Sequence, residues 1–407
     1  SSWGTPWSMI RQSSVNSRPS PLNPPLSTVD CRLPTRVVAV IGGGPAGASA
    51  ALELARQGIA TVVLERSDGS GNAIGECLAP SANPLLRRLE LDDALLASGA
   101  LPSYANRSSW GGDGAPAERD FLREPHGHGW HLDRPAFNAS LLDTVERAGV
   151  PVWRHSRVVS LARDNGMWTI AVETPDGART LTAAMLIDAS GRAALVARHQ
   201  RVPRRTFDRQ IAAAAVLNPC SGGATCPDAT TVIEAAEGGW WYAAHLPDGR
   251  LTVAWFTDPD LLARAALWRP QSWWDYLTAS DLVGNLVSSH GYGEPERIQI
   301  LAARSSLLTR SAGDGWIAAG DAAAAFDPLS SHGIGSALAG GKHAASAVKA
   351  ALNGDETAFA HYVDRTLEGF ARYLWTRHSY YRDEQRWPDA PFWARRHASL
   401  DSSGPGG

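Results

Sequence analysis

The stretch VVAVIGGGPAG, residues 37–47, decides the fold of this chain. Its first five residues form an uninterrupted apolar run, which is typical of a buried parallel strand. Gly42, Gly44 and Gly47 then complete the pattern G-x-G-x-x-G. In this pattern Gly42 makes a tight turn, Gly44 lets the backbone approach a pyrophosphate, and Gly47 lets a helix pack closely on the strand.

The residues that follow complete a βαβ unit. Residues 48–57 carry alanines and leucines at helical spacing, and residues 60–64 form a second apolar run. Glu65 ends that run about 20 residues after Gly44, where an acid can accept hydrogen bonds from a ribose. A purely structural glycine-rich turn would explain the glycines, but not the strand before them, the helix after them and Glu65 at the end of the next strand. The unit therefore predicts the tight binding of one dinucleotide, and no second such pattern follows.

Composition excludes several classes of protein. The net charge of −3 over 407 residues argues against a nucleic-acid binder and against a polybasic membrane anchor. No apolar run approaches the length of a membrane span. Four cysteines make no disulfide framework. With no secretory signal visible, we expect a cytoplasmic protein.

A second motif lies towards the C-terminus. The apolar run 316–319 is followed by Gly320 and Asp321, which places a carboxylate at the end of a strand, where α/β folds bind ligands. An aspartate that caps a helix would have the same position. The next loop leads into a helix whose positive N-terminus suits an anionic reduced flavin. Gly333 and Gly335 would let the backbone lie against the flavin ring.

These motifs, together with Arg134 and the stretch LIDASGR at 186–192, occur in a known order. Over about residues 36–397 the chain resembles the single-component FAD monooxygenases of the p-hydroxybenzoate hydroxylase superfamily. The resemblance implies that Arg134 contacts the FAD phosphates, that Val158 lies near the adenine and that Asp321 binds the ribityl chain. It also implies NAD(P)H as a transient reductant and molecular oxygen as a co-substrate.

Within that superfamily, GECLAP at 75–80 and DPLSS at 327–331 resemble the tryptophan halogenases. Halogenases need a lysine after the Gly-Glu segment, but the first lysine of this chain is Lys342. Ser330 stands where an acid is expected, and GWWY at 239–242 replaces the halogenase Trp-x-Trp-x-Ile-Pro. We therefore predict no halogenation.

Residues 239–250 and 380–388 are similar to flavoproteins that mature protein-derived quinone cofactors, in the lysine ε-oxidase, glycine oxidase and quinohemoprotein amine dehydrogenase systems. This implies an FAD-dependent monooxygenase that uses a flavin C4a-hydroperoxide to hydroxylate a tryptophan of a partner polypeptide during tryptophylquinone biogenesis. Three alternatives stay open. They are a small-molecule aromatic hydroxylase, a flavin reductase or dehydrogenase, and a non-catalytic flavin-bound docking module.

The expected fold is a mixed α/β chain: a Rossmann-like FAD-binding domain of the glutathione reductase type, an antiparallel-sheet substrate domain and a C-terminal helical segment. The FAD-binding domain is assigned to residues 36–105, 139–204 and 301–352. The substrate domain takes 106–138 and 205–300, the helical segment 353–397, and tails occupy 1–35 and 398–407. Six of the 16 tryptophans lie between residues 240 and 274 and can be core or line an aromatic cleft.

The candidate site residues form two groups and include no metal ligand. The predicted catalytic residues are Pro328, Ser331 and His332, of which His332 can equally be structural. The predicted residues that bind noncovalent FAD are Gly42, Gly44, Pro45, Ala46, Gly47, Glu65, Arg66, Arg134, Val158, Asp321, Gly333, Ile334 and Gly335. The histidines 126, 128 and 131 and the pair Cys220 and Cys226 do not have the spacing of a metal site.

Overall fold

A computed structural model describes residues 37–67, 75–112, 114–121, 123–220 and 229–398. The predicted tail 1–35 and nearly all of the tail 398–407 lie outside the described residues, as does Cys226. The α-helices are α1 Pro45–Arg56, α2 Asn83–Arg88, α3 Asp92–Ala97, α4 Arg134–Arg147, α5 Leu195–His199, α6 Pro259–Arg264, α7 Pro270–Thr278, α8 Leu282–Ser289, α9 Gly333–Leu352, α10 Ala358–Asp383 and α11 Pro391–His397.

The strands are β1 Val38–Ile41, β2 Thr61–Leu64, β3 Cys77–Leu78, β4 Leu101–Ser103, β5 Ala105–Ser109, β6 Ala117–Asp120, β7 Gly129–His131, β8 Val152–Trp153, β9 Arg157–Asp164, β10 Met167–Thr174, β11 Gly177–Ala183, β12 Met185–Asp188, β13 Arg204–Thr206, β14 Ile211–Leu217, β15 Thr231–Ala236, β16 Gly239–His245, β17 Leu251–Thr257, β18 Gln299–Ala302, β19 Ser306–Leu308, β20 Ala312–Gly313, β21 Trp316–Ala318 and β22 Ala324–Ala325.

The first sheet has the strand order β20-β21-β12-β1-β2-β8, and only β20 runs antiparallel to its neighbour. The last residue of β1, Ile41, pairs with Leu64 of β2 and Asp188 of β12. The carboxyl ends of these strands therefore meet at one edge, where such folds bind ligands. The helices α1, α4 and α9 cover one face of this sheet, and the antiparallel sheet β9–β11 contributes Trp168 to the core on the other face.

Close contact between α1 and α9 depends on a glycine. A Cβ added at Gly341 of α9 would lie 2.0 Å from the carbonyl oxygen of Ala46 in α1. The two helix backbones could not stay at this distance with any other residue at position 341. The N-terminus of α1 is thereby held against the middle of α9.

The second large sheet has the order β18-β14-β17-β16-β15-β5-β6 and is antiparallel except where β5 meets β15. One face packs on α7 and α8 through Trp241, Trp255 and Trp273, which are buried. The opposite face turns Tyr242 and Phe256 towards the first sheet. Of the six tryptophans between residues 240 and 274, four are buried and none lines the cavity, whose aromatic lining residues are Tyr242, Phe256 and Phe326.

The C-terminal helices α10 and α11 pack on the face of the second sheet that carries Tyr242 and Phe256. Trp240 donates a hydrogen bond from Nε1 to the Tyr381 hydroxyl at 3.1 Å, and Trp393 donates to the carbonyl of Ala236 at 3.0 Å. Arg396 pairs with buried Asp258 at 3.0 Å. The segment 380–388 is thus part of the wall of the second sheet rather than a free arm.

The helices differ from the sequence predictions in two places. The helix α4 begins at Arg134, where Asp133 caps it, and so crosses the predicted domain boundary between residues 138 and 139. The described part of the region 205–300, predicted as an antiparallel-sheet domain, contains the helices α6, α7 and α8 as well as strands. The predicted domain limits themselves stay a prediction.

Candidate functional site

A cavity of about 360 Å³ lies between the carboxyl edge of the first sheet and the face of the second. Its wall combines backbone from the glycine motifs with apolar and charged side chains from both halves of the chain. The residues that line it are Gly44, Pro45, Ala46, Gly75, Cys77, Arg134, Ala189, Gly191, Arg192, Ala212, Tyr242, Phe256, Leu301, Ala302, Ala303, Ala319, Asp321, Phe326, Asp327, Pro328, Ser331, Gly333, Ile334 and Ala337.

The glycine motif forms the turn that the sequence predicts. Gly42 has a φ of +103°, a conformation that other residues rarely adopt. A Cβ on Gly47 would lie 1.8 Å from the Gly42 carbonyl oxygen, whereas a Cβ on Gly44 would meet nothing within 4 Å. Gly44, at the cap position of α1, has no side chain to cap the helix, which begins with Pro45 and holds no acid in its first turn. The helix N-terminus is therefore open to an anion.

Glu65 lies at the end of β2, beside this turn. Its carboxylate accepts hydrogen bonds from the Gly43 N–H at 2.5 Å, from the Ser67 N–H at 2.9 Å and from the Ser67 hydroxyl at 2.8 Å. A carboxylate has about four acceptor positions, so about one remains for a ribose hydroxyl. The Ser156 N–H donates to the Glu65 carbonyl at 2.8 Å, which places Val158 on a neighbouring segment. Arg66 is exposed, and neither Arg66 nor Val158 lines the cavity.

Arg134, the first residue of α4, reaches across to the segment before β3. Its Nη1 donates to the Gly75 carbonyl at 2.9 Å, but its buried Nε has no hydrogen-bond partner among the described residues. Burial lowers the pKa of Arg134, an effect that Glu76 and Asp321 oppose. A buried guanidinium with a free donor lacks an acceptor, and an anionic ligand would supply one.

Asp321 lies opposite Arg134 across the cavity. Its carboxylate is 3.5 Å from Nε of Arg192, whose Nη1 donates to the Arg304 carbonyl at 2.7 Å. Burial raises the pKa of Asp321, and the cations Arg192, Arg134 and Arg204 work against that rise. The carboxylate is thus held in the wall with acceptor capacity that faces the cavity.

The polar cluster next to Tyr242 was not predicted from the sequence, and its members are Glu76, Cys77 and Thr252. The Tyr242 hydroxyl donates to Glu76 Oε2 at 3.4 Å, and Thr252 donates to Oε1 at 3.1 Å. Burial raises the pKa of Glu76 and raises that of the Cys77 thiol to about 11. Cys77, whose Sγ is 2.6 Å from the Thr231 hydroxyl, is therefore no thiolate nucleophile at neutral pH.

The loop after β22 enters the cavity and is held from behind. Asp327 is 1% exposed and accepts hydrogen bonds from Arg377 Nε at 3.0 Å and from the Tyr381 hydroxyl at 2.9 Å. These partners on α10 position the predicted residues Pro328 and Ser331, both of which line the cavity. The C-terminal helices therefore shape the site without entering it.

His332 does not join Pro328 and Ser331 in this cavity. It is exposed and lines a second cavity of about 240 Å³, with Leu85 and Gly335. Its ring Nδ1 contacts the Ser330 carbonyl. Gly333 and Ile334 line the main cavity, and a Cβ on Gly333 would meet nothing within 4 Å. A catalytic role for His332 stays a prediction.

Two further sequence features have structural roles. Asp188, in the stretch 186–192, is buried and accepts hydrogen bonds from the N–H groups of Val196 and Ala197 at 2.8 and 3.3 Å, so it caps α5. His131 is buried and contacts Thr231 through Nε2 at 2.8 Å. Within the described ranges no three histidine, cysteine or acidic side chains converge as metal ligands would.

These residues fit FAD. The uncapped α1 N-terminus and the free Nε of Arg134 suit a diphosphate, and Asp321 suits the hydroxyls of a ribityl chain. The space in front of Gly44 and Gly333 admits a ligand against the backbone. A family model described as "FAD binding domain" matches residues 35–368.

The chain belongs to this FAD-binding family. LodB of Marinomonas mediterranea, whose name describes an FAD-dependent oxidoreductase, is 31% identical over 364 residues, which cover 88% of this chain and 96% of LodB. A tryptophan 2-halogenase of Chondromyces crocatus is 27% identical over 381 residues, which cover 90% of this chain and 72% of the halogenase.

Two solved structures superpose on most of this chain. The flavin-dependent halogenase CmlS superposes with a TM-score of 0.79 at 26% identity, over 90% of this chain and 68% of CmlS. QhpG, a peptidyl tryptophan dihydroxylase essential for tryptophylquinone cofactor biogenesis, gives a TM-score of 0.72 at 27% identity, over 90% of this chain and 80% of QhpG.

The predicted fold class is thereby confirmed. The protein is a flavin-dependent oxidoreductase of the halogenase and monooxygenase superfamily. None of the helices in the described part of the chain has both the length and the apolar character that crossing a membrane requires.

Proposed function

We propose that this protein is an FAD-dependent monooxygenase that hydroxylates a tryptophan residue of a partner polypeptide, as a step in the biogenesis of a tryptophylquinone cofactor. The observation that carries the proposal is the similarity to QhpG and to LodB over most of the chain, together with a cavity wall that contains no lysine. Both lysines, Lys342 and Lys349, lie on α9, and neither lines the cavity.

The missing lysine favours oxygenation over halogenation. Halogenases of this superfamily need a lysine after the Gly-Glu segment, and here that segment leads from Glu76 into Cys77 and Leu78. The cations that line the cavity are Arg134 and Arg192, and Arg192 is committed to Asp321 and to backbone carbonyls. A guanidinium stays protonated and does not act as a nucleophilic amine.

The second sheet supplies the wall for an aromatic ring. Ala212, Phe256 and Leu301 present apolar surface, while the Tyr242 hydroxyl adds one polar group to it. The aromatic rings of Trp240 and Phe256 stack with centroids 4.0 Å apart, so the wall is rigid. An apolar pocket with few polar groups is the usual environment for an aromatic substrate.

Bound FAD supplies the reactive oxygen once it is reduced and meets molecular oxygen. The protein would orient the cofactor and the substrate and shield them from water. Arg134 and the α1 N-terminus would hold the diphosphate, and Asp321 would hold the ribityl chain. The loop from Asp327 to Ser331 would border the bound cofactor. Glu76, whose raised pKa keeps a proton on its carboxyl group to higher pH, fixes Tyr242 in the wall.

NAD(P)H is the proposed reductant, bound only transiently because the sequence holds a single G-x-G-x-x-G unit. A reduced flavin delivered from outside is the alternative. A small-molecule aromatic hydroxylase is the second candidate function, because the relatives include a halogenase named for tryptophan itself.

The test compares two substrates under one set of conditions. The protein, loaded with FAD, is incubated with NADH or NADPH in air with a tryptophan-containing peptide or with free tryptophan, and products are identified by mass spectrometry. Oxygen added to the peptide tryptophan supports the proposal. Efficient oxygenation of free tryptophan with an unmodified peptide would favour the small-molecule candidate.

A further inference from the structure

The outer edge of the second sheet is a surface that the proposed reaction does not yet use. The strand β18 is the last in the order of that sheet, and it pairs with β14. Within the described ranges no strand pairs with its other side. An edge strand offers unpaired N–H and C=O groups, which can pair with any extended chain.

β18 lacks the features that protect an edge. Its sequence Gln-Ile-Leu-Ala contains neither charge nor proline, and the Ile300 side chain is 45% exposed. At the opposite edge of the same sheet, β6 has the sequence Ala-Glu-Arg-Asp and is exposed throughout. Charged side chains discourage pairing with another chain. One edge of this sheet is therefore protected, and the other is open to pairing.

The open edge is continuous with the cavity. Leu301, Ala302 and Ala303 all line the cavity, and Leu301 lies directly opposite Ala212 of β14. Residues that oppose each other in an antiparallel pair have their side chains on the same face. A strand added about 4.8 Å outside β18 would continue this pattern. Its residue opposite Leu301 would then have its side chain on the cavity face.

We propose that β18 binds the substrate polypeptide by strand addition, with an extended segment paired to this edge and the target tryptophan opposite Leu301. This inference rests on the proposed function, because it names the surface on which that polypeptide would dock. Main-chain hydrogen bonds give affinity that does not depend on the side chains of the bound segment. The position of the cavity along the edge then selects which side chain enters it. The register at Leu301 therefore determines which tryptophan is modified.

The test uses one charge change at each edge of the sheet. Ile300 is exposed and is not among the residues that line the cavity, so Ile300→Lys alters the edge and not the cavity wall. Ala117→Lys adds the same charge to the exposed strand β6 and is the matched control. The probe is a fluorescein-labelled peptide of alternating threonine and valine with one central tryptophan and a lysine at each end.

We expect Ile300→Lys to weaken peptide binding, measured by fluorescence anisotropy, by about tenfold or more, since each lost main-chain hydrogen bond costs up to about a factor of ten. Ala117→Lys should bind like wild type. Methylation of alternate amide nitrogens in the peptide should weaken binding to the unaltered protein similarly, which tests the edge without any change in the protein. Peptide should also slow hydrogen exchange of residues 299–303.

Equal binding by wild type and Ile300→Lys, or no binding of the peptide to wild type, would overturn the proposal. So would a wild-type dimer that becomes monomeric in Ile300→Lys, because a second copy of the chain would then occupy the edge. A peptide that binds at β18 but gains no oxygen would contradict the proposed function alone. A peptide that all three proteins oxygenate equally would contradict the docking edge alone.

Discussion

Replacing Arg134 by methionine should separate cofactor affinity from stability. The Nε of Arg134 is buried without a partner among the described residues, and burial lowers the pKa of the guanidinium. The cation is therefore poorly compensated until an anion arrives. One charge-assisted hydrogen bond to an FAD phosphate is worth about 1.5–3 kcal/mol. Its loss should raise the Kd for FAD about 10- to 150-fold.

The same replacement should leave the apoprotein intact. The hydrogen bond to the Gly75 carbonyl and the attraction of the cation to Glu76 and Asp321 are lost, and the desolvation cost of the charge is removed with them. FAD titration followed by flavin fluorescence gives the Kd, and calorimetry of the apoprotein gives Tm. Arg147→Met, at an exposed position on the same helix, is the control. An unchanged Kd, or an apoprotein Tm that falls while Kd holds, would refute the assignment of Arg134 to the phosphates.

Three other predictions concern packing, protonation and chemistry. Gly341→Ala should destabilise the protein by about 1–3 kcal/mol in denaturant unfolding, because its Cβ would lie 2.0 Å from the Ala46 carbonyl oxygen, while Gly369→Ala, with nothing within 4 Å, should be neutral or stabilising. Burial raises the pKa of Glu76, so the folded state keeps that proton to higher pH than the unfolded state and stability falls as pH rises through this interval. The Tm advantage of Glu76→Gln should therefore grow as the pH rises above the ordinary glutamate pKa of 4.5; a constant difference would contradict this. Bromide with reduced FAD and a tryptophan peptide should give no brominated product by mass spectrometry, and bromotryptophan would contradict the argument from the missing lysine.

Local pattern was enough to predict the cofactor half of the molecule. The run 37–41, the glycines of the turn and Glu65 all act within a single βαβ unit, so short-range sequence determines their geometry. Asp321 is likewise predicted from a local signal, since it lies three residues after the last residue of β21, and its role at the ribityl chain stays a prediction. Such local signals can be recognised from sequence because the geometry of the turn depends on these residues and not on distant contacts.

The substrate face could not be predicted in the same way. Every residue of β16 is buried, so the sequence GWWYAAH shows no alternation to tell which side faces the cleft. Tyr242 meets Glu76 across 166 positions of the chain, a contact that only sheet register and domain packing determine. Similarly, Asp327 was quoted as part of a motif, but its partners Arg377 and Tyr381 come from a distant helix.

His332 shows the limit of reading a role from loop position. It follows Ser331, whose φ of +51° turns the chain, and this turn directs the imidazole to the smaller cavity. Ser331 lines both cavities, and the change of direction after it separates His332 from Pro328, which lines the main cavity. Sequence spacing alone carries no information about such a reversal.

The most direct test of the central claim is isotopic. The FAD-loaded protein is incubated with NADH or NADPH, the tryptophan peptide and ¹⁸O-labelled dioxygen, and the peptide is sequenced by tandem mass spectrometry. The account predicts one or more ¹⁸O atoms on the tryptophan ring, at a rate that depends on added reductant. Label absent from the tryptophan, while the flavin is reduced and reoxidised normally, would contradict it.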